Sequence, residues 1–154
     1  MALPVVIPSF AACKYYIGQS FGWTEWIEIS QERIDAFTAV CGDTNWLHCD
    51  PVRAARESPW KGAVAPGNLL LSLVPPLMDQ RVVLIGWANA INAGVDSCRF
   101  EAPVPAGSRT RMGLSLSRAR TFPGGIRLTY SVDFEGEGAD ALACNARVHY
   151  AYFK

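Results

Sequence analysis

Two side chains in the segment Cys41-Gly-Asp-Thr-Asn-Trp-Leu-His-Cys-Asp50 are of types that exchange protons, the carboxylate of Asp43 and the imidazole of His48. A carboxylate beside an imidazole forms an acid/base pair able to work near neutral pH. Five residues separate them, a rotation of roughly 140° on a continuous helix, so a helix would not bring them to one face. Gly42 is a helix terminator, and a looped segment after it can turn both side chains into one cleft.

Spacing alone leaves plainer roles open. An aspartate or asparagine after a helix commonly forms a turn, which suits Asp43 and Asn45 as well. A lone histidine is commonly a satisfied structural group, and His149, the second of the chain's two, reads that way in a C-terminal strand. A metal site built from Asp43, Asn45, His48 and Asp50 matches no established zinc or calcium spacing. Cys41 and Cys49 read as small apolar thiols rather than nucleophiles activated by His48.

The elements that must position this segment are legible on both sides of it. Thr24-Glu-Trp-Ile-Glu-Ile alternates with period two, predicting a short strand that includes Trp26. Ser30 is a good N-cap with Glu32 in the first turn, and Ile34, Phe37 and Cys41 form a helical apolar stripe ending at Gly42. Asp50-Pro51 reads as N-cap and N1 proline of a helix through Glu57. Pro66-Gly67 opens a helix whose Leu69, Leu70, Leu71, Leu73, Val74, Leu77 and Met78 are apolar on nearly every side, which predicts a buried central helix. Pro75 and Pro76 should kink or end it. Ser72 reads as tied to a local carbonyl.

From residue 82 onward the pattern is strand-like. The expected strands are 82–84, 93–100, 109–120, 126–134 and 142–152, with Phe122-Pro-Gly-Gly as a hairpin turn. The last alternates, with Leu142, Cys144, Ala146, Val148, Tyr150 and Tyr152 on one face and Ala143, Asn145, Arg147, His149 and Ala151 on the other. Long antiparallel strands following one buried helix imply an α+β hot-dog fold, a curved antiparallel sheet wrapped around a central helix. The 154 residues suit a single domain, 1–154, with 1–15 as an N-terminal arm.

Composition excludes several function classes. Lysine plus arginine (14) balance aspartate plus glutamate (14), so no cationic excess favours nucleic acid. Five scattered cysteines with no C-x-x-C pair suit free thiols in the cytoplasm rather than a disulfide framework. The short, proline-broken start does not resemble a signal peptide, and no apolar run suggests a membrane span. Arg99, Arg109, Arg111, Arg118 and Arg120 read mostly as a solvated face, with one or two able to reach the phosphates of a carrier.

Further motifs sharpen the reading. Tyr16-Ile-Gly-Gln, the run from Trp26 to Phe37, Gly42-Asp-Thr-Asn-Trp-Leu-His-Cys-Asp-Pro, Ala65-Pro-Gly-Asn-Leu-Leu-Leu-Ser-Leu and the run from Asn92 to Arg109 together resemble the MaoC-like dehydratases. This group includes R-specific enoyl-CoA hydratases, and the nodulation protein N branch, with tryptophan at the position of Trp46, is the nearest. The resemblance implies Asp43 and His48 as the catalytic pair, Asn45 as a supporting hydrogen-bonding group, and the backbone N–H of Gly67 as oxyanion donor. Trp46 and Asn68 become candidate acyl-pocket residues.

The implied reaction is hydration of trans-2-enoyl thioesters, or dehydration of R-3-hydroxyacyl thioesters, carried on coenzyme A or an acyl-carrier protein. No cofactor or metal is implied, and the expected assembly is a homodimer. The chain departs from the family pattern at Pro66, where histidine is usual, and at Pro75, where a hydroxyl side chain is common; both bear on substrate range. The alternatives are a non-catalytic hot-dog acyl-binding or partner subunit, and an acyl thioesterase.

Overall fold

The computed structural model describes residues 3–154. Strand β1 (Val5–Ile7) leads into a 3-10 helix (Phe10–Tyr16), then β2 (Ser20–Trp23) and β3 (Ile27–Ile29). Helices α1 (Gln31–Cys41), α2 (Trp46–Cys49), α3 (Pro51–Glu57), α4 (Gly67–Ser72) and α5 (Val74–Met78) follow. The chain closes with β4 (Val82–Leu84), β5 (Asn89–Phe100), β6 (Ser108–Phe122), β7 (Gly125–Gly136) and β8 (Leu142–Phe153).

The main sheet runs β2-β6-β7-β8-β5, with β3 also paired to β6, and every pairing in it is antiparallel. One face of it packs on α4 and α5, where Leu69, Leu70, Val74 and Leu77 meet Leu116, Leu128, Tyr130 and Val148 in one buried core. This is the α+β hot-dog arrangement that the pattern of strands implies. The predicted hairpin closes through Pro123-Gly124, and Gly124 takes φ +83°, where a side chain would be strained. In β8, Cys144, Ala146, Val148, Tyr150 and Tyr152 are all buried and Leu142 partly so, but Ala143 and Ala151 of the opposite face are buried as well, so the alternation holds only in part.

Several expectations need correction. The central helix is interrupted, as Pro75 and Pro76 predict, but it is not enclosed on every side. It breaks at Leu73 into α4 and α5, and the prolines sit in the first turn of α5, where their missing N–H groups cost little. One side of the pair, carrying Asn68, Ser72, Pro75 and Pro76, is exposed. Ser72 does tie its hydroxyl to the Leu69 carbonyl at 2.7 Å. The α1 stripe is rotated from the one predicted: Ile34 and Thr38 are buried, while Cys41 is exposed. Trp26 lies just before β3 rather than inside a strand.

The expected N-terminal arm is integrated into the structure. β1 pairs in parallel with β4, and Ile7 and Cys13 have no exposed surface. Met1 and Ala2 of that arm lie outside the described residues.

Candidate active site

The geometry around Asp43 is set by how α1 ends. Ser30 caps its start by accepting the Arg33 N–H at 3.2 Å. At the other end Gly42 adopts φ 70°, and the Asp43 N–H donates back to the Thr38 carbonyl at 2.9 Å. This left-handed closure turns the chain off the helix axis at the acidic residue. The Asp43 carboxylate then accepts the Asn45 N–H at 2.9 Å, a local turn that fixes its orientation.

His48 lies on a one-turn helix, α2, and not in a loop as expected. Asn45 caps that helix, its side-chain oxygen accepting the Leu47 N–H at 3.1 Å. Asp50 performs the same service for α3 by accepting the Arg53 N–H at 2.8 Å. The turn through Asp43 and Asn45 and the short helix replace the rotation that a continuous helix would impose. Asp43 and His48 are each partly buried, and the ion pairs among the described residues do not join them directly.

The His48 ring is anchored through one nitrogen. Nδ1 lies 2.6 Å from the Val64 carbonyl oxygen, an atom that can only accept, so Nδ1 carries the proton. In the neutral ring that leaves Nε2 as the bare nitrogen. The same segment is held reciprocally, because the Val64 N–H donates to the Leu47 carbonyl at 3.1 Å. Gln31, which the sequence reading did not single out, donates to the His48 carbonyl at 2.7 Å and to Asp35 at 2.8 Å. It ties α2 to the first turn of α1.

Gly67 is the first residue of α4, behind Pro66, which offers no side-chain cap. The N–H groups of Gly67 and Asn68 find no acceptor among the described residues, as expected of a helix's first turn. The ring of Phe100, another residue not singled out, lies against Gly67: a Cβ there would sit 2.6 Å from the ring carbons. Gly67 and Phe100 line a mostly apolar cavity of about 250 Å³ with Trp60, Val64, Leu70 and Val104. Asp43 and His48 do not line it. Trp46 instead carries the Arg53 guanidinium over its ring at 4.4 Å, and Asn68 is exposed.

Comparison with known proteins decides the family. The model of the MaoC like domain matches residues 13–132, more than half of the chain. The chain belongs to the MaoC-like family. A 3-hydroxyacyl-thioester dehydratase Z of Mycobacterium tuberculosis (strain ATCC 25618 / H37Rv) is 38% identical over 130 residues, 84% of this chain and 85% of that protein. Nodulation protein N of Rhizobium leguminosarum bv. viciae is 38% identical over 142 residues, covering 89% and 88%. Among solved structures, an (R)-hydratase from A. caviae involved in PHA biosynthesis superposes with a TM-score of 0.68 at 25% identity, covering 82% of this chain and 89% of that one. This MaoC-like chain is accordingly a hot-dog protein along nearly its whole length.

Proposed function

We propose that this MaoC-like protein is a hydro-lyase that adds water to trans-2-enoyl thioesters, or removes it from R-3-hydroxyacyl thioesters, using Asp43 and His48. One observation carries the assignment of residues. The carbonyl that fixes the His48 ring belongs to Val64, three residues before Gly67. Three residues of extended chain reach at most about 11 Å, so the imidazole and the first amide of α4 are tied to one short segment. The names of the relatives, a 3-hydroxyacyl-thioester dehydratase and an (R)-hydratase, support the same chemistry.

In the hydration direction a water held between Asp43 and His48 gives up a proton as its oxygen bonds to C3. A proton reaches C2 from the same side, and the thioester oxygen carries the developing negative charge. The Gly67 N–H, unpaired at the helix start, is the donor for that oxygen, helped by the positive end of the peptide dipoles. Asn45 supports the pair by shaping the turn between them. The apolar cavity beside Gly67 takes apolar substrate surface; Trp46 and Asn68, the acyl-pocket residues that the resemblance implies, are not among the residues that line it. The carrier is coenzyme A or an acyl-carrier protein.

We read residues 1–154 as one domain of this kind, working in the cytoplasm as a homodimer. No helix among the described residues is long and apolar enough to cross a membrane, and the five cysteines are free thiols. The outer edge of β5 is unpaired, and Ile91, Val95 and Phe100 on it are 51%, 41% and 49% exposed. An apolar open edge of this length favours pairing with a second copy.

The test is hydration of crotonyl-CoA and longer enoyl-CoAs, followed by loss of enoyl absorbance. Wild type should turn over and Asp43→Asn should lose roughly 10²–10⁴-fold in rate. Equal inertness of both on every coenzyme A and carrier-protein thioester would instead establish an acyl-binding subunit, and release of free thiol would establish a thioesterase.

A further inference from the structure

The β6–β7 ladder treats its arginines in two ways. Towards its open end each arginine has a carboxylate: Arg111 is paired with the directly opposite Glu135 at 2.6 Å, and Arg109 is paired with Glu137. Towards the hairpin turn the pattern reverses. Arg120 stands directly opposite Arg127, and Arg118 opposite Thr129. Arg118, Arg120 and Arg127 make no hydrogen bond or ion pair among the described residues. Like charges directly opposed across a ladder destabilise it, so this arrangement calls for a counter-charge from outside.

These three arginines face away from the core: after the register shift between Leu116 and Arg118, Ala119 and the opposite Leu128 point into it, as does Ile126, and the arginines beside them are exposed. With Thr129 and His149 they line a pocket of about 140 Å³ on the outer face of the sheet. That volume equals roughly four to five waters at about 30 Å³ apiece, room for a phosphate group and part of its hydration. The pocket lining holds no carboxylate. Asp96 lines an adjoining pocket that shares Arg118, Thr129 and His149 with this one, and it is engaged by His149 Nε2 at 2.8 Å. His149 Nδ1 in turn contacts the Thr129 hydroxyl at 2.9 Å. Thr129 is only 7% exposed, so the floor is built and its ring orientation fixed from both sides. Arg147 beside it is held by the Ser97 hydroxyl at 2.8 Å.

We propose that this outer-face pocket is an anion site for a phosphorylated ligand, bearing a phosphomonoester or a diphosphate. Three guanidinium groups exceed what one carboxylate could neutralise. A phosphate presents several acceptor oxygens and more than one negative charge, and guanidinium forks match its geometry. The pocket lies on the side of the sheet opposite α4 and α5. It stands independently of the roles assigned to Asp43 and His48, and its occupancy is readable without turnover.

Calorimetric titration of inorganic pyrophosphate into the full chain at low salt tests it. Saturable binding is expected, weakened about tenfold or more in Arg120→Ala and in Arg127→Ala, and changed less than about twofold in Arg109→Ala. Parallel titrations with coenzyme A and dephospho-coenzyme A, each compared between wild type and the double variant Arg120→Ala/Arg127→Ala so that binding at the catalytic site is subtracted, identify the source. Preference for the former assigns the site to a terminal phosphomonoester, and equal binding assigns it to the diphosphate. The variants lie on an exposed face, and a melting temperature no lower than that of wild type will show that they fold. The proposal fails if folded wild type does not bind pyrophosphate at millimolar concentration, or if that binding survives the double variant Arg120→Ala/Arg127→Ala.

Discussion

The His48 ring nitrogen Nδ1 lies 2.6 Å from the carbonyl oxygen of Val64, and this contact dictates the tautomer. Neutral His48 should carry its proton on Nδ1 and leave Nε2 bare. Long-range ¹H–¹⁵N correlation spectra of ¹⁵N-histidine-labelled protein at alkaline pH will check this. The His48 Nε2 signal should fall in the range of an unprotonated imidazole nitrogen; a protonated Nε2 would mean that the contact does not persist in solution. His48→Ala should lower kcat/KM on enoyl thioesters roughly 10²–10⁴-fold.

The second prediction concerns Gly67 and Phe100. A methyl at position 67 would meet the Phe100 ring at 2.6 Å, so this half-exposed ring must be displaced to admit it. Gly67→Ala should destabilise the chain by about 1–3 kcal/mol, the usual range for overpacking, read from the urea midpoint. Phe100→Ala in the same chain should recover most of that stability. If the double variant is as unstable as Gly67→Ala, the ring is not the obstacle.

Much of this was legible in the sequence because it depends on short-range rules. Ser30, Gly42 and Asp50-Pro51 mark helix ends through hydrogen bonds made within a few residues, and all three do so here. The β8 alternation and the Pro123-Gly124 turn are equally local. The contacts that were not legible are long-range. Gln31 reaches the His48 carbonyl across 17 residues, and the Val64 carbonyl meets His48 across 16. No spacing rule marks a glutamine in a helix's first turn or a backbone carbonyl in a loop. The interruption of the central helix was legible in Pro75 and Pro76; what escaped was that the helix resumes as α5, because two prolines mark where a helix kinks or ends but not whether it continues beyond them.

Gln31 provides the third prediction. Its amide bridges α1 to the His48 carbonyl at 2.7 Å and should act by positioning, without touching substrate. Gln31→Met keeps the length and removes the donor. It should cost about 0.5–1.5 kcal/mol in stability. The kcat should fall by up to about 10²-fold with KM little changed, the signature of a displaced catalytic group. A loss of stability with kcat intact would reduce Gln31 to a structural tie.

The fourth prediction follows from Asp133, on the outer face of β7, where burial raises the carboxyl group above the usual aspartate range. A raised value in the folded state means that folding favours the protonated acid. The contribution is fully present below the unfolded value, near 3.9, and is lost as pH rises through the higher folded value, so at neutral pH the ionised group opposes folding. Asp133→Asn should therefore raise the urea midpoint at pH 7. The gain over wild type should shrink as pH falls below about 3.9, where the aspartate becomes mostly protonated in both states. Equal gains at the two pH values would trace the effect to packing, and a lower midpoint at pH 7 would mean that the carboxylate has a stabilising partner in solution.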